Sequence, residues 1–301
     1  MATVGDATPR QSGVRAAVRL IRLRHWVKNG FVLAPLFFGV ELLNRTSLLH
    51  AAAAFAIFCL VSSAIYIFND WRDIEADRNH VEKRHRPLAS GAVSPGAAAG
   101  LFAGLVVAAL VLGLASDLPR AFFGTLGVYI AFNVAYSLGL KHISLLELFL
   151  VASGFVLRVI AGGYATHIHL SPWILIATAM VALLLTVGKR RGDIAQSNDV
   201  GHGRRSLSQY SVAYLDLVLA ALTGGTLVVY LLYCVSESAV QRFGTAVLLT
   251  SIPVGLGLLR YLQLVLVKGK GAAPTDLVLQ DAGLIGIVAV FIGMFGVLIY
   301  V

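Results

Sequence analysis

Residues 66–91 read YIFNDWRDIEADRNHVEKRHRPLASG. This stretch closes a long apolar run with Asn69, Asp70, Asp73 and Asp77. At about 100° per residue the three aspartates fall near 0°, 300° and 340°, a single narrow stripe. Tyr66, four residues before Asp70, shares that stripe, and Glu75 faces the other way at about 140°. Carboxylates aligned like this repel one another unless a cation neutralises them. Hard oxygen donors suit Mg²⁺, which takes one or two carboxylates and completes its shell with water and phosphate oxygens. Lys83, Arg84 and Arg86 follow, then Pro87 and a Ser90–Gly91 turn. Acidic stripe and basic, Gly/Pro-punctuated loop together suit a diphosphate and its metal. The competing reading is a solvated helix end followed by a basic inside loop. The stripe begins at membrane depth, which favours a site.

Working outward, the composition is that of an integral membrane protein. Hydrophobic residues make up 58% and charged residues 13% of the 301, and the mean hydropathy is +0.82. Apolar runs able to cross a ~30 Å hydrocarbon core recur along the chain. They predict nine spans, at 28–44, 47–68, 96–115, 119–138, 144–164, 172–189, 211–235, 243–266 and 279–300. The first is the least regular, with Pro35 and Glu41 inside it. Residues 1–13 read as a flexible tail, and 14–301 as one transmembrane catalytic domain. The basic, polar stretch through Arg24 does not read as a cleavable signal peptide. With the N-terminus inside, 19 Lys and Arg fall on inside segments against Arg45, Arg120 and Arg242 outside. This is the positive-inside pattern. It places the N-terminus and the acidic stripe on the cytoplasmic side of the plasma membrane. The net charge of +9 is therefore an orientation signal and does not point to nucleic acid. Cys59 and Cys234 each fall within a span and read as small core residues rather than as a disulfide or thiol catalyst.

Other charges gather toward the same face. Arg15, Arg19 and Arg22 recur at helical spacing, and Arg15 and Arg19 suit lipid headgroups as well as they suit a site. Lys28 and Asn29 enter the first span, within reach of a phosphate. Tyr136, Lys141 and Glu147 surround the turn at Gly139, and Lys141 is a candidate phosphate contact. Arg158 lies well inside the fifth run, where an arginine costs roughly 2.5–3.5 kcal/mol on insertion scales and so calls for a partner. Glu147 or an anionic substrate would serve. Lys189, Arg190, Arg191 and Asp193 form a second charged cluster. Asp193 is a candidate to bind metal or to pair with one of these cations. A polar loop with Arg204 and Arg205 follows. His167 and His169, with no carboxylate beside them, suit an interfacial turn better than a metal site.

These motifs resemble a known family. NDWRDIEAD fits the NDxxDxxxD first motif of the UbiA-type membrane prenyltransferase superfamily, and RPLASG matches the stretch that commonly follows it. Ordinary members carry a further DxxxD-like motif after the sixth span, where this chain has GKRRGDIA. It also has YSLGLKH in place of a YxxxKR-type stretch. With RHWVKN, KRHRPLASG, LKHISLLE and SGFVLRVIAGG, these departures resemble one branch, the polyprenyl-phosphate (decaprenyl-phosphate) 5-phosphoribosyltransferases. The resemblance implies an all-helical UbiA-type fold. It also implies transfer of 5-phosphoribose from phosphoribosyl pyrophosphate to a polyprenyl phosphate among the membrane lipids, for cell-wall arabinan precursors. Under it, Mg²⁺ is held by Asp70, Asp73 and Asp77 with Asn69 assisting. Lys28, Lys141, Lys189 and Arg190, joined by Lys83, Arg84 and Arg86, clamp donor phosphates. Asn29, Tyr66 and Tyr136 line the substrate site, and Arg158 positions the lipid phosphate. A homo-oligomer, with a trimer as a guess, is carried as an expectation. Two other functions stay open: a Mg²⁺-dependent aromatic or quinone-pathway prenyltransferase, and a non-enzymatic lipid-phosphate carrier.

Overall fold

The protein, seen as a computed structural model, is described over residues 13–80, 83–196, 206–269, 271, 277 and 279–300. Every regular element among these is helical. In chain order they are α1 Gly13–Ile21, a 3-10 segment Leu23–Leu33, α2 Ala34–Phe38, α3 Arg45–Arg72 and α4 Ile74–Arg78. After them come α5 Pro95–Ala115, α6 Arg120–Leu138, α7 Leu146–Thr166 and α8 Pro172–Gln196. The last four α-helices are α9 Val212–Cys234, α10 Glu237–Phe243, α11 Ser251–Leu266 and α12 Ala282–Tyr300, and four further 3-10 segments lie at Lys83–His85, Leu140–His142, Leu207–Gln209 and Thr245–Thr250. The expected tail lies outside the described residues up to position 12, as do Arg204 and Arg205.

Eight helices among the described residues are long and apolar enough to cross a membrane. The count of nine is not reached, because residues 28–44 do not form one long α-helix. Pro35 has no N–H to continue an α-helical ladder, so the chain restarts there with proline in the first turn of the five-residue α2. The preceding eleven residues take the tighter 3-10 form.

Contacts divide the chain into two compact units, one of residues 1–26 and 56–117, the other of 27–55 and 118–301. The division falls within α3. That helix starts where the Asn44 side chain accepts from the N–H groups of Thr46 and Ser47, at 3.0 and 3.2 Å. Its 28 residues rise ~42 Å, more than a hydrocarbon core needs. Its last turns therefore have length to spare beyond the apolar layer.

In the first unit α1 buries Ala16 and Leu20 against Ala64, Ile67, Leu88, Val93, Ala98 and Leu105, while Arg15 and Arg19 lie on its exposed side. This is amphipathic spacing at work. Ser94 caps α5 by accepting from Ala97 N–H, and Pro95 opens it. In the second unit α7 is the most deeply packed helix. A Cβ at Gly162 would lie 2.0 Å from the carbonyl oxygen of Val32, so only glycine lets the two backbones approach. Leu184, Val187, Leu215, Leu219, Leu258 and Leu264 join α8, α9 and α11 in one core.

Candidate active site

In the first unit one stripe of α3, Ser63, Tyr66 and Asp70, organises the site. The chain leaves α1 through Arg22, whose φ of 58° is left-handed. For a residue with a Cβ this costs roughly 1–2 kcal/mol. Ser63 holds the resulting elbow. Its hydroxyl donates to the Ile21 carbonyl at 2.9 Å and accepts from the Trp26 indole at 3.0 Å. The Arg22 guanidinium is thereby set 4.9 Å from the Tyr66 ring centroid and 2.5 Å from Asp70 Oδ1. His25 packs edge-on against the same tyrosine ring.

The acidic stripe is interrupted yet keeps its spacing. α3 ends at Arg72, and Asp73 stands at the junction with α4. Asp73 N–H still donates to Asn69 O at 3.0 Å, and Asp77 N–H to Asp73 O at 2.7 Å. Asp70 and Asp77 are consequently buried on one side, 2% and 4% exposed, and Glu75 faces outward. Arg86 joins the two, since its Nη1 donates to Asp70 Oδ1 at 3.0 Å and to Asp77 Oδ2 at 2.8 Å. Burial pushes the Asp77 carboxyl up from its usual range, and the Arg86 guanidinium partly offsets this. The RPLASG turn places Arg86. Ser90 N–H bonds Arg86 O, Val93 N–H bonds Pro87 O, and Gly91 takes the left-handed φ of 75° the turn requires. Arg78 fastens the turn by donating to Ala89 O. Lys83 is half-buried and Arg84 exposed on the short 3-10 turn before it. Among the described residues no three His, Cys, Asp or Glu side chains are gathered as a ready metal cluster. Asp70 and Asp77, with Asp73 and Asn69 beside them in sequence, are the oxygen donors available to a divalent ion in this unit.

The second unit holds two polar networks. Arg158, 5% exposed, donates from Nε to Asn29 Oδ1, from Nη1 to Gly154 O and from Nη2 to the Tyr129 hydroxyl, each at 2.8 Å. It also lies over the Tyr129 and Phe155 rings. Its open partnership with Glu147 is resolved otherwise, for Glu147 belongs to Arg190. Arg190 Nε and Nη2 take the two Glu147 oxygens, both at 2.6 Å, and Nη1 takes Asp193 Oδ2 at 2.8 Å. Nη2 also reaches the Tyr136 hydroxyl at 3.4 Å. Lys28 and Lys141 are half-buried, and Lys189 is exposed. Ser206 donates to the Lys141 carbonyl, and Tyr210 accepts from Leu145 N–H, which fastens the start of α9 to the α6–α7 turn.

Residues 32–279 match the UbiA prenyltransferase family. The chain belongs to that family. Among UbiA-family relatives, it is 36% identical over 269 residues to decaprenyl-phosphate phosphoribosyltransferase of Corynebacterium glutamicum, covering 88% of this chain and 80% of the relative. It is 35% identical over 308 residues to the protein of the same name from Mycolicibacterium smegmatis, covering 98% and 95%. Its fold is similar to that of a UbiA homologue from Archaeoglobus fulgidus solved with GPP and Mg²⁺. The TM-score is 0.70 at 17% identity, over 95% of this chain and all of that one. The UbiA fold and the eight apolar helices make this a multi-pass membrane protein.

One residue of the candidate site carries no assignment in the sequence reading. Arg22 reads only as the next basic residue at helical spacing after Arg15 and Arg19, yet it is turned onto Asp70. A left-handed non-glycine residue leaves no compositional mark, so spacing alone continues the α1 face through it.

Proposed function

We propose that this protein transfers 5-phosphoribose from phosphoribosyl pyrophosphate to a polyprenyl phosphate, decaprenyl phosphate for preference, releasing pyrophosphate. The product serves cell-wall arabinan precursor synthesis. The observation that carries the reading is the likeness over most of the chain to relatives named decaprenyl-phosphate phosphoribosyltransferase. The buried Asp70–Asp77 pair, flanked by Arg22 and Arg86, supports it.

The donor set suits magnesium. Asp70 and Asp77 already bring one oxygen each to a single Arg86 nitrogen. Asp70 and Asp77 would hold a small divalent ion through hard carboxylate oxygens. Asp73 and Asn69 are the further ligands we assign. Bound there, the ion would supply Lewis-acid stabilisation of the charge on departing pyrophosphate. The chain's own groups do the rest. Arg22, Arg86, Lys83 and Arg84 bind the donor's phosphate oxygens. Tyr66 holds the Arg22 guanidinium in place. The C1–oxygen bond to pyrophosphate breaks with its electron pair leaving on pyrophosphate. A lipid-phosphate oxygen forms the new bond to C1. That nucleophile is already anionic, so no side chain needs to take its proton. Arg158, preset by Asn29 and Tyr129, is assigned to the lipid phosphate, and Lys28, Lys141 and Lys189 to further phosphate contacts. We place the reaction on the cytoplasmic side of the plasma membrane, on the strength of the 19-to-three distribution of basic residues.

Purified protein in detergent, given Mg²⁺, polyprenyl phosphate and ribose-labelled phosphoribosyl pyrophosphate, should move label into the lipid fraction and stop on chelation. Transfer from a prenyl diphosphate to an aromatic acceptor, with no ribose transfer, would replace this reading by a prenyltransferase. Silence with both donors from folded protein would favour a carrier.

A further inference from the structure

A guanidinium occupies the place between two carboxylates where α7 and α8 meet. After α8 turns polar, the chain offers one aspartate, Asp193, and Glu147 reaches the same point from the first turn of α7. Glu147 is fully buried and Arg190 is 4% exposed. Between them the geometry is complete: Arg190 gives one N–H to each Glu147 oxygen at 2.6 Å and a third to Asp193 at 2.8 Å, with Tyr136 beyond. Two carboxylates converging on one buried positive centre is the arrangement a divalent ion would otherwise satisfy. Here the positive charge is covalently part of the chain, and its planar fork fits carboxylate oxygens in a way a lysine would not.

We propose that Arg190 is a built-in substitute for a second metal ion. Glu147 and Asp193 are its ligands, and the carboxylates of the first unit carry the whole metal requirement of the protein. Arg190 is thus a positioning residue. It is spent on Glu147 and Asp193 rather than on donor phosphates, and it keeps one fixed charge where a metal would come and go. Asp193 in turn is not a metal ligand. The inference rests on the magnesium-dependent reading above, but it is tested by counting ions, which requires no turnover.

The experiment is Mn²⁺ titration of purified full-length protein in detergent, with inorganic pyrophosphate present, following free Mn²⁺ by electron paramagnetic resonance. Wild type should hold one ion per chain. Asp70→Asn and Asp77→Asn should lose it, and Asp193→Asn should keep it. Arg190→Met, which uncovers the Glu147–Asp193 pair, should bind one ion more than wild type. If Arg190→Met does not fold, Asp193→Asn still decides. A wild type with two ions, one of them lost in Asp193→Asn, overturns the assignment and leaves the magnesium reading intact. A wild type with no bound ion overturns the magnesium reading and the assignment with it. Arg190→Met that folds and gains no ion also overturns the assignment.

Discussion

Arg22 shows how much a single backbone angle can decide. Its left-handed conformation is unfavourable for arginine and natural for glycine. Arg22→Gly should therefore relieve roughly 1–2 kcal/mol of backbone strain while removing the cation from Asp70. The expected outcome is a melting temperature within a few degrees of wild type and a fall in ribose transfer of about 10²-fold. A large loss of melting temperature would instead make Arg22 a structural tie. Asp77→Asn separates the same two roles from the acidic side. Because asparagine keeps the side chain's shape and one oxygen acceptor for Arg86, the fold should survive, and transfer should fall by about 10²-fold or more. Thermal denaturation and label transfer on the same preparation check both. At this scale the aspartates were legible, since residue spacing alone places Asp70 and Asp77 on one side. Arg22 was not legible, and neither was Arg86 as the group joining the pair. Those depend on an elbow and a loop turn that bring residues 48 and 16 positions from Asp70 onto one oxygen.

Among the helices, α7 is the element on which the second unit is assembled. Gly162 sits against the Val32 carbonyl with no space for a methyl group. Gly162→Ala should force α7 and the 3-10 segment apart, at an overpacking cost of about 1–3 kcal/mol, seen as a lowered melting temperature in detergent. Glu147→Ala should cost more, about 3–5 kcal/mol, because it leaves Arg190 buried with two of its four hydrogen bonds gone. Glu147→Gln, which retains one acceptor for Arg190, should fall between the two. Periodicity and run length found these helices because the bilayer demands about twenty apolar residues for each. They failed at 28–44, where composition is apolar enough but Pro35 divides the segment. They also said nothing of which charge meets which. Glu147 and Arg190 stand 43 positions apart and meet only because α7 packs against α8.

For the molecule in its membrane, the distribution of basic residues makes a direct prediction of orientation. Cys59 and Cys234 are both buried, 1% exposed, so the native thiols should stay silent to a bulky membrane-impermeant maleimide. A cysteine at Arg84 should then label only in inverted vesicles, and one at Arg120 only in intact cells. The opposite pattern would put the acidic stripe on the outer face. Charge counting gave only the bias between the two sides, because it ranks loops and does not locate them. The chain also contains just three tryptophans, Trp26, Trp71 and Trp173. Trp26 is hydrogen-bonded to the serine that pins the elbow of Arg22. With Trp71 and Trp173 replaced by phenylalanine, the remaining indole would emit from the elbow that sets Arg22. Its colour would shift as that serine bond loosened or tightened, turning the arrival of a phosphate donor into an optical signal.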